Sequence, residues 1–178
     1  MPLQDLVATF ARAAADGSPL DRTEAALRAL SGDIASVIGD LSFLSGEGSD
    51  PEQSFYRSSS VSLLKVKFSP GVPSPPHDHG TWAAILLLEG QERNILYERD
   101  GASLRQTGEV VLEPGDVLPM PTGAIHVVEC ASRTPAVGLH VYGGDLPILP
   151  RSVWHPTTFV EHDHTDAQYA ALKALSSK

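Results

Sequence analysis

His77 and His79 stand two apart in the stretch Gly71-Val-Pro-Ser-Pro-Pro-His77-Asp-His79-Gly-Thr-Trp82. Alternate residues of a β-strand point to the same face about 7 Å apart, so two imidazoles at this spacing can aim at one metal ion. Some fifty residues on, Gly115-Asp-Val-Leu-Pro-Met-Pro121-Thr-Gly123-Ala-Ile-His126 delivers one more histidine through a turn, a short apolar run and a second turn. Imidazole is a borderline ligand that suits iron, zinc, copper or nickel. Three of them on a concave wall leave about three positions open on an octahedral ion.

Other residue types with chemical potential lie nearby in the chain. His140 and Tyr142 are two apart and share a strand face, and Arg57 and Arg151 are guanidinium forks of the kind that hold a carboxylate. His162-Asp-His164 repeats the His-x-His spacing, but it sits among Glu161, Thr165 and Asp166 ahead of an Ala/Leu-rich helix. That context reads as a solvated connection, outside the site. Cys130, the only cysteine, ends an apolar strand with no basic neighbour in sequence and reads as an inert thiol.

The elements that must position these residues are mostly short strands. Leu64, Val66 and Phe68 alternate with Lys65 and Lys67, the period of a half-buried strand. Ala83 to Leu88 is a continuous apolar strand, Arg93 to Tyr97 returns after Glu89-Gly90, and Asp100-Gly101 is a hairpin signal. Ser103 to Thr107, Val110 to Leu112, Val117 to Met120, His126 to Cys130 and Val137 to Tyr142 follow between Gly and Pro turns, as in a sandwich or barrel. Ahead of them, Leu3, Leu6, Val7, Phe10 and Ala14 recur at helical spacing. Asp21-Arg-Thr-Glu24 reads as a capping box opening a second helix, and Ile34, Val37, Ile38 and Leu41 as a third. Gly46 to Pro51 reads as the linker. The division is therefore a helical extension, residues 1–50, packed on a barrel with a C-terminal segment, residues 51–178.

The chain of 178 residues carries a formal charge of -9 with a pI near 5.1. It offers no basic stripe for nucleic acid or an acidic membrane surface, so a small-molecule partner is expected. No apolar run approaches a membrane span, the lone cysteine forms no intrachain disulfide, and Met1-Pro-Leu-Gln-Asp5 lacks a basic segment leading into an apolar one. A cytoplasmic protein is expected, as a monomer or small homo-oligomer.

Gly71, His77-Asp-His79 and Gly90 resemble the first cupin motif, and Gly115, Pro121, Gly123 and His126 match the second at its spacing. The resemblance implies a mainly β fold, a cupin double-stranded β-helix (jelly-roll barrel) with an N-terminal helical extension. The glutamate that usually follows the second histidine is absent, since its positions are Ala83 and Ala84. With Trp82 and Ala136-Val-Gly-Leu-His140-Val-Tyr142-Gly, this pattern is similar to the cysteine dioxygenase family of thiol dioxygenases. That family implies Fe(II), with Ni or Zn as alternatives, held by His77, His79 and His126, and oxidation of a small thiol acid by O2 to its sulfinate. It further implies His140 and Tyr142 as the pair orienting substrate and oxygen, and Arg57 or Arg151, with Trp82, as substrate-binding residues. The family's motif Ser-x-His-x-Tyr has Gly138 here at the serine position, and its thioether crosslink is excluded because the cysteine position is Ala84. A cupin of other chemistry, a non-thiol dioxygenase or an isomerase, and a non-catalytic ligand-binding cupin stand as alternatives, because the fold alone does not fix function.

Overall fold

The computed structural model describes residues 2–42 and 52–176. Three helices come first: α1 (Leu3–Ala14), α2 (Pro19–Leu30) and, after a 3-10 turn, α3 (Ile34–Asp40). The capping box read at Asp21 and Glu24 is not formed. The cap position is Ser18, three residues before Asp21, and the helix begins at Pro19, because proline has the fixed φ that suits a first helical position. A side-chain cap appears instead at Asp33, whose Oδ1 accepts from Ser36 N at 3.2 Å and opens α3. The Gly46–Pro51 linker reading lies outside the described residues.

Among the described residues ten strands follow: β1 (Glu52–Arg57), β2 (Val61–Phe68), β3 (Ala83–Glu89), β4 (Glu92–Asp100), β5 (Ser103–Leu112), β6 (Val117–Met120), β7 (Ile125–Cys130), β8 (Ala136–Gly143), β9 (Ser152–Trp154) and β10 (Glu161–Asp163). The last helix is α4 (Asp166–Ser176). The segments read as two strands, at 103–107 and 110–112, are one. Gly108 pairs with Leu96 while Gln106 pairs with Tyr97, so Thr107 is a bulge that bends β5 without ending it. Glu161 to Asp163, read as a solvated connection, pairs in register with Trp154 to Ser152.

One antiparallel sheet runs β1-β2-β8-β3-β6 and faces a second of order β5-β4-β7, with β10-β9 beside it. This is the double-stranded β-helix expected. The larger sheet is apolar on both faces, which explains the unbroken apolar run of β3. Ala83, Ile85 and Leu87 point into the barrel beside Leu64, Val66 and Phe68. Ala84, Leu86 and Leu88 point outward, where Leu6, Phe10, Leu27, Val37 and Leu41 cover them. Burying a side chain of the size of Phe10 or Leu27, both wholly buried, stabilises the fold by about 1.5–3 kcal/mol. Truncating Phe10 to alanine also leaves a cavity, which raises the cost to about 3–5 kcal/mol. Among the described residues, no helix is long and apolar enough to cross a membrane.

Candidate metal centre

The first histidine pair lies on a segment stitched between two strands. His77 N donates to His126 O and His126 N donates to His77 O, both at 3.0 Å, so the two residues face each other across an antiparallel ladder. Directly opposed residues project their side chains to the same face of a sheet, and His79, two positions on, follows them. On the other side Asp78 N donates to Ser152 O at 3.1 Å, and Asp78 Oδ1 accepts from Ser152 N at 2.9 Å. Gly80 then turns the chain at φ 65, a left-handed conformation. A Cβ there would also lie 2.2 Å from the Pro150 carbonyl oxygen, so only glycine fits.

The three imidazoles converge, with one ring nitrogen from each within 4.8 Å of the others. His126 Nε2 and His79 Nε2 stand 3.3 Å apart, near the roughly 3 Å expected of adjacent ligands at metal–nitrogen distances of about 2.1 Å. Two of the rings are aimed by bonds at their far nitrogens. His77 Nδ1 donates to the Pro75 carbonyl at 3.0 Å, and His126 Nδ1 donates to Asn94 Oδ1 at 2.8 Å. An oxygen without a proton only accepts, so each Nδ1 carries the hydrogen and each Nε2 keeps a free lone pair. Burial holds all three histidines well below their ordinary pKa, helped by the neighbouring imidazoles, and they stay neutral. Neutral, dehydrated imidazoles are the protonation state a metal requires. The donor set fits a divalent ion.

Asn94 and Glu92 went unread in the sequence. Both lie on β4 and are wholly buried, and Asn94 Nδ2 donates to Glu92 Oε1 at 2.9 Å. Burial raises the Glu92 carboxyl to about 7. The missed signal is a polar pair, Glu92 and Asn94, at strand spacing on the face that should look inward.

Tyr142 and His140 project into the barrel from β8, as their alternation requires. Their side chains share a hydrogen bond of 2.9 Å between His140 Nδ1 and Tyr142 Oη, and the Tyr142 ring lies 5.0 Å from that of His79. Burial pushes the Tyr142 phenol well above its ordinary value and lowers His140 to about 3, so both are neutral. His140 Nε2 is buried without a hydrogen-bond partner among the described residues. A Cβ on Gly138 would lie 2.8 Å from this atom and 3.0 Å from Cδ2. The imidazole therefore packs directly against the glycine.

Of the two arginines, Arg151 is the one whose charge reaches the site, adding to the depression of His77 and His79. Arg57 is half exposed, and its Nε donates to Asp145 Oδ1 at 2.7 Å. Trp82 is not brought to the histidines. Its ring packs on the helix-facing side of the large sheet and lines an open groove of about 230 Å³ with Leu20, Asp21 and Pro121. The face of β3 decides this, because Trp82 is in step with Ala84 and out of step with Ala83. His164, set aside in the sequence reading, comes close instead. Its ring stacks on Tyr169 of α4 at 4.9 Å, and both rings stand edge-on to His77, at 6.3 and 5.9 Å. Burial and the Arg151 charge lower His164 to about 4.

No family model matches the chain. In sequence it is similar to Germin-like protein subfamily 1 member 7 of Arabidopsis thaliana, 32% identical over 87 residues that make up 49% of this chain and 38% of the plant protein. Germin-like protein subfamily 1 member 20 of the same plant is 30% identical over 105 residues, 51% of this chain and 47% of that protein. The chain thus spans less than half the length of these curated relatives. In structure it is similar to a Klebsiella pneumoniae protein with a double-stranded beta-helix domain, at a TM-score of 0.51 and 10% identity over 64% of this chain and 87% of that one. The strand order and the likeness to that domain show the double-stranded β-helix fold, and the sequence likeness to the germin-like proteins covers about half of this chain.

Proposed function

We propose that this protein is a non-haem iron(II) dioxygenase that converts a small thiol acid, of the cysteine or 3-mercaptopropionate type, to its sulfinate. The observation that carries the reading is the charge of the site. Three neutral imidazoles converge with no carboxylate among them, and the Arg151 guanidinium acts on two of them, His77 and His79, from outside. Such a site favours an anionic thiolate and leaves a cation for the substrate's carboxylate. Bound iron(II) would supply a Lewis acid that lowers the thiol's pKa and a centre at which dioxygen can react.

In the balanced reaction R–S⁻ and O2 give R–SO2⁻: sulfur gains two bonds to oxygen, loses four electrons to dioxygen, and no external reductant is needed. The protein's own groups would orient and protect. Tyr142, neutral through burial, holds its phenolic proton within hydrogen-bond reach of His140 Nδ1 and stands beside His79. The Leu64, Ile85 and Met120 side chains of the inner cluster keep the barrel dry. Arg151 would fix the carboxylate so that sulfur, and not oxygen, reaches the triad.

The test is oxygen uptake by the iron(II)-loaded protein on cysteine, 3-mercaptopropionate and cysteamine, with product identified by mass. Uptake with sulfinate formation on the acids bears the proposal out. One iron per chain with no uptake on any thiol refutes it. A second reading, a metal-binding cupin acting on a non-thiol substrate or only binding a ligand, is favoured by one observation: His140 Nε2 has no hydrogen-bond partner among the described residues, where the thiol dioxygenase family has a serine.

A further inference from the structure

The carboxyl of Glu92 has no place in the reaction above, and it is an expensive group to keep where it is. It is wholly buried, makes one hydrogen bond through Oε1, and its Oε2 has no partner among the described residues. A buried carboxyl so poorly satisfied costs stability, and an apolar side chain of the same volume would fill the space without that cost. What Glu92 does touch is Asn94, and Asn94 touches His126.

We propose that Glu92 is a positioning residue that, through Asn94, sets which nitrogen of His126 is free to bind a metal ion. An asparagine amide can turn over by a half rotation and present either its oxygen or its nitrogen to the same neighbour. With the oxygen toward His126, Nδ1 must donate and the Nε2 lone pair faces the site. With the nitrogen toward His126, Nδ1 accepts, the proton moves to Nε2, and the ligand is blocked. Glu92 Oε1 accepts whether the carboxyl is ionised or is neutral with its proton on the unpartnered Oε2, so Glu92 holds the Asn94 nitrogen on its own side, at 2.9 Å, and leaves the oxygen for His126, at 2.8 Å. Asn94 by itself does not choose between the two orientations. Glu92 chooses, two hydrogen bonds away from the imidazole. The inference rests on the triad holding a divalent ion and not on the thiol chemistry.

Two substitutions separate this role from a structural one. Leucine at position 92 (E92L) removes the acceptor and keeps the site filled with an apolar side chain, while aspartate at position 94 in that background (E92L/N94D) has no second carboxyl beside it, presents acceptors to His126 and so imposes the Nδ1–H form. The tautomer is read in the metal-free protein from long-range proton–nitrogen spectra of the histidine rings, and affinity from competition between the protein and a chelator for Co(II). For E92L we expect a mixture of His126 tautomers and Co(II) binding weakened about 10–100-fold, the range seen when such supporting bonds are lost. The double variant E92L/N94D should return to the single Nδ1–H tautomer and to within about threefold of the parent affinity. If E92L keeps both the tautomer and the affinity of the parent, or if the double variant fails to recover the tautomer, Glu92 does not act in this way. Since the tautomer is measured without metal or substrate, these outcomes stand whether or not the protein oxidises a thiol.

Discussion

Replacing Gly138 by alanine would drive a methyl carbon to 2.8 Å from His140 Nε2 and 3.0 Å from Cδ2, with the Leu86 carbonyl oxygen 3.5 Å away on the other side. Ordinary contacts of this kind begin near 3.4 Å, so the imidazole must retreat by about half an ångström. It has little room, because His140 is buried and is tied at its far side to Tyr142 Oη. Overpacking of this order costs about 1–3 kcal/mol, and stretching the His140–Tyr142 bond adds up to about 1 kcal/mol. Against this, alanine in a strand recovers about 0.5–1 kcal/mol of backbone entropy relative to glycine. The expected net loss is about 1–2 kcal/mol, or a fall of roughly 2–8 °C in Tm for a chain of this size. Serine brings the same Cβ but also a hydroxyl that can partner the unpaired Nε2, which should return about 1 kcal/mol. The expected order is therefore glycine, then serine, then alanine, measured by thermal unfolding of the metal-free proteins. An alanine variant as stable as the parent, or more so, would mean that the imidazole does not rest against residue 138.

Three further outcomes are expected. Alanine at His77, His79 or His126 should abolish stoichiometric binding of a divalent ion, measured by metal analysis after gel filtration. Binding retained in the His126→Ala protein would remove that residue from the site. The metal-free protein should lose stability as pH falls from 6.5 toward 5, because the buried histidines stay neutral when folded and protonate when unfolded, and His140, held at about 3, alone costs up to about 1.4 kcal/mol per pH unit there. Glu92, raised to about 7, acts with the opposite sign between 7 and 4.5 but is one group against five, His164 included, so denaturant midpoints that rise on acidification would contradict the assignment of neutral buried histidines. For a thiol acid, Arg151→Ala should raise KM by the equivalent of about 1.5–3 kcal/mol while Arg57→Ala leaves it unchanged, and the reverse ranking would transfer the carboxylate to Arg57.

The histidine triad was readable because strand period and turn glycines are local properties: His77 and His79 share a face by spacing alone, and Gly115 to Gly123 bring His126 round. The inward aim of His140 and Tyr142 follows from the same alternation. What local pattern could not supply was anything decided across the barrel. Glu161 to Asp163 looks like a polar connection until β9 pairs with it, and His164 approaches His77 only because that pairing and α4 carry it there. Trp82 carried no strand period of its own, and the face to which it belongs is set by the register of β3 beside it. Glu92 and Asn94 look like ordinary surface residues in a strand that also contains Arg93, until the barrel closes over them. Gly138 was read as a missing hydroxyl, since sequence shows what a side chain lacks and not what moves into its place.

The reciprocal amide bonds between His77 and His126 also bear on how the centre comes into being and how it opens. These partners are separated by the whole of β3 to β6, so their pairing closes a long loop and belongs to the slow, non-local part of folding. Neither amide can be released by fraying at a chain end. Both should therefore exchange with solvent at rates near those of whole-molecule unfolding, far behind the amides of the α4 turn that covers the site. An ion leaving the histidines would have to part from a rigid seam, past the Tyr169 ring of α4 that stands 5.9 Å from His77.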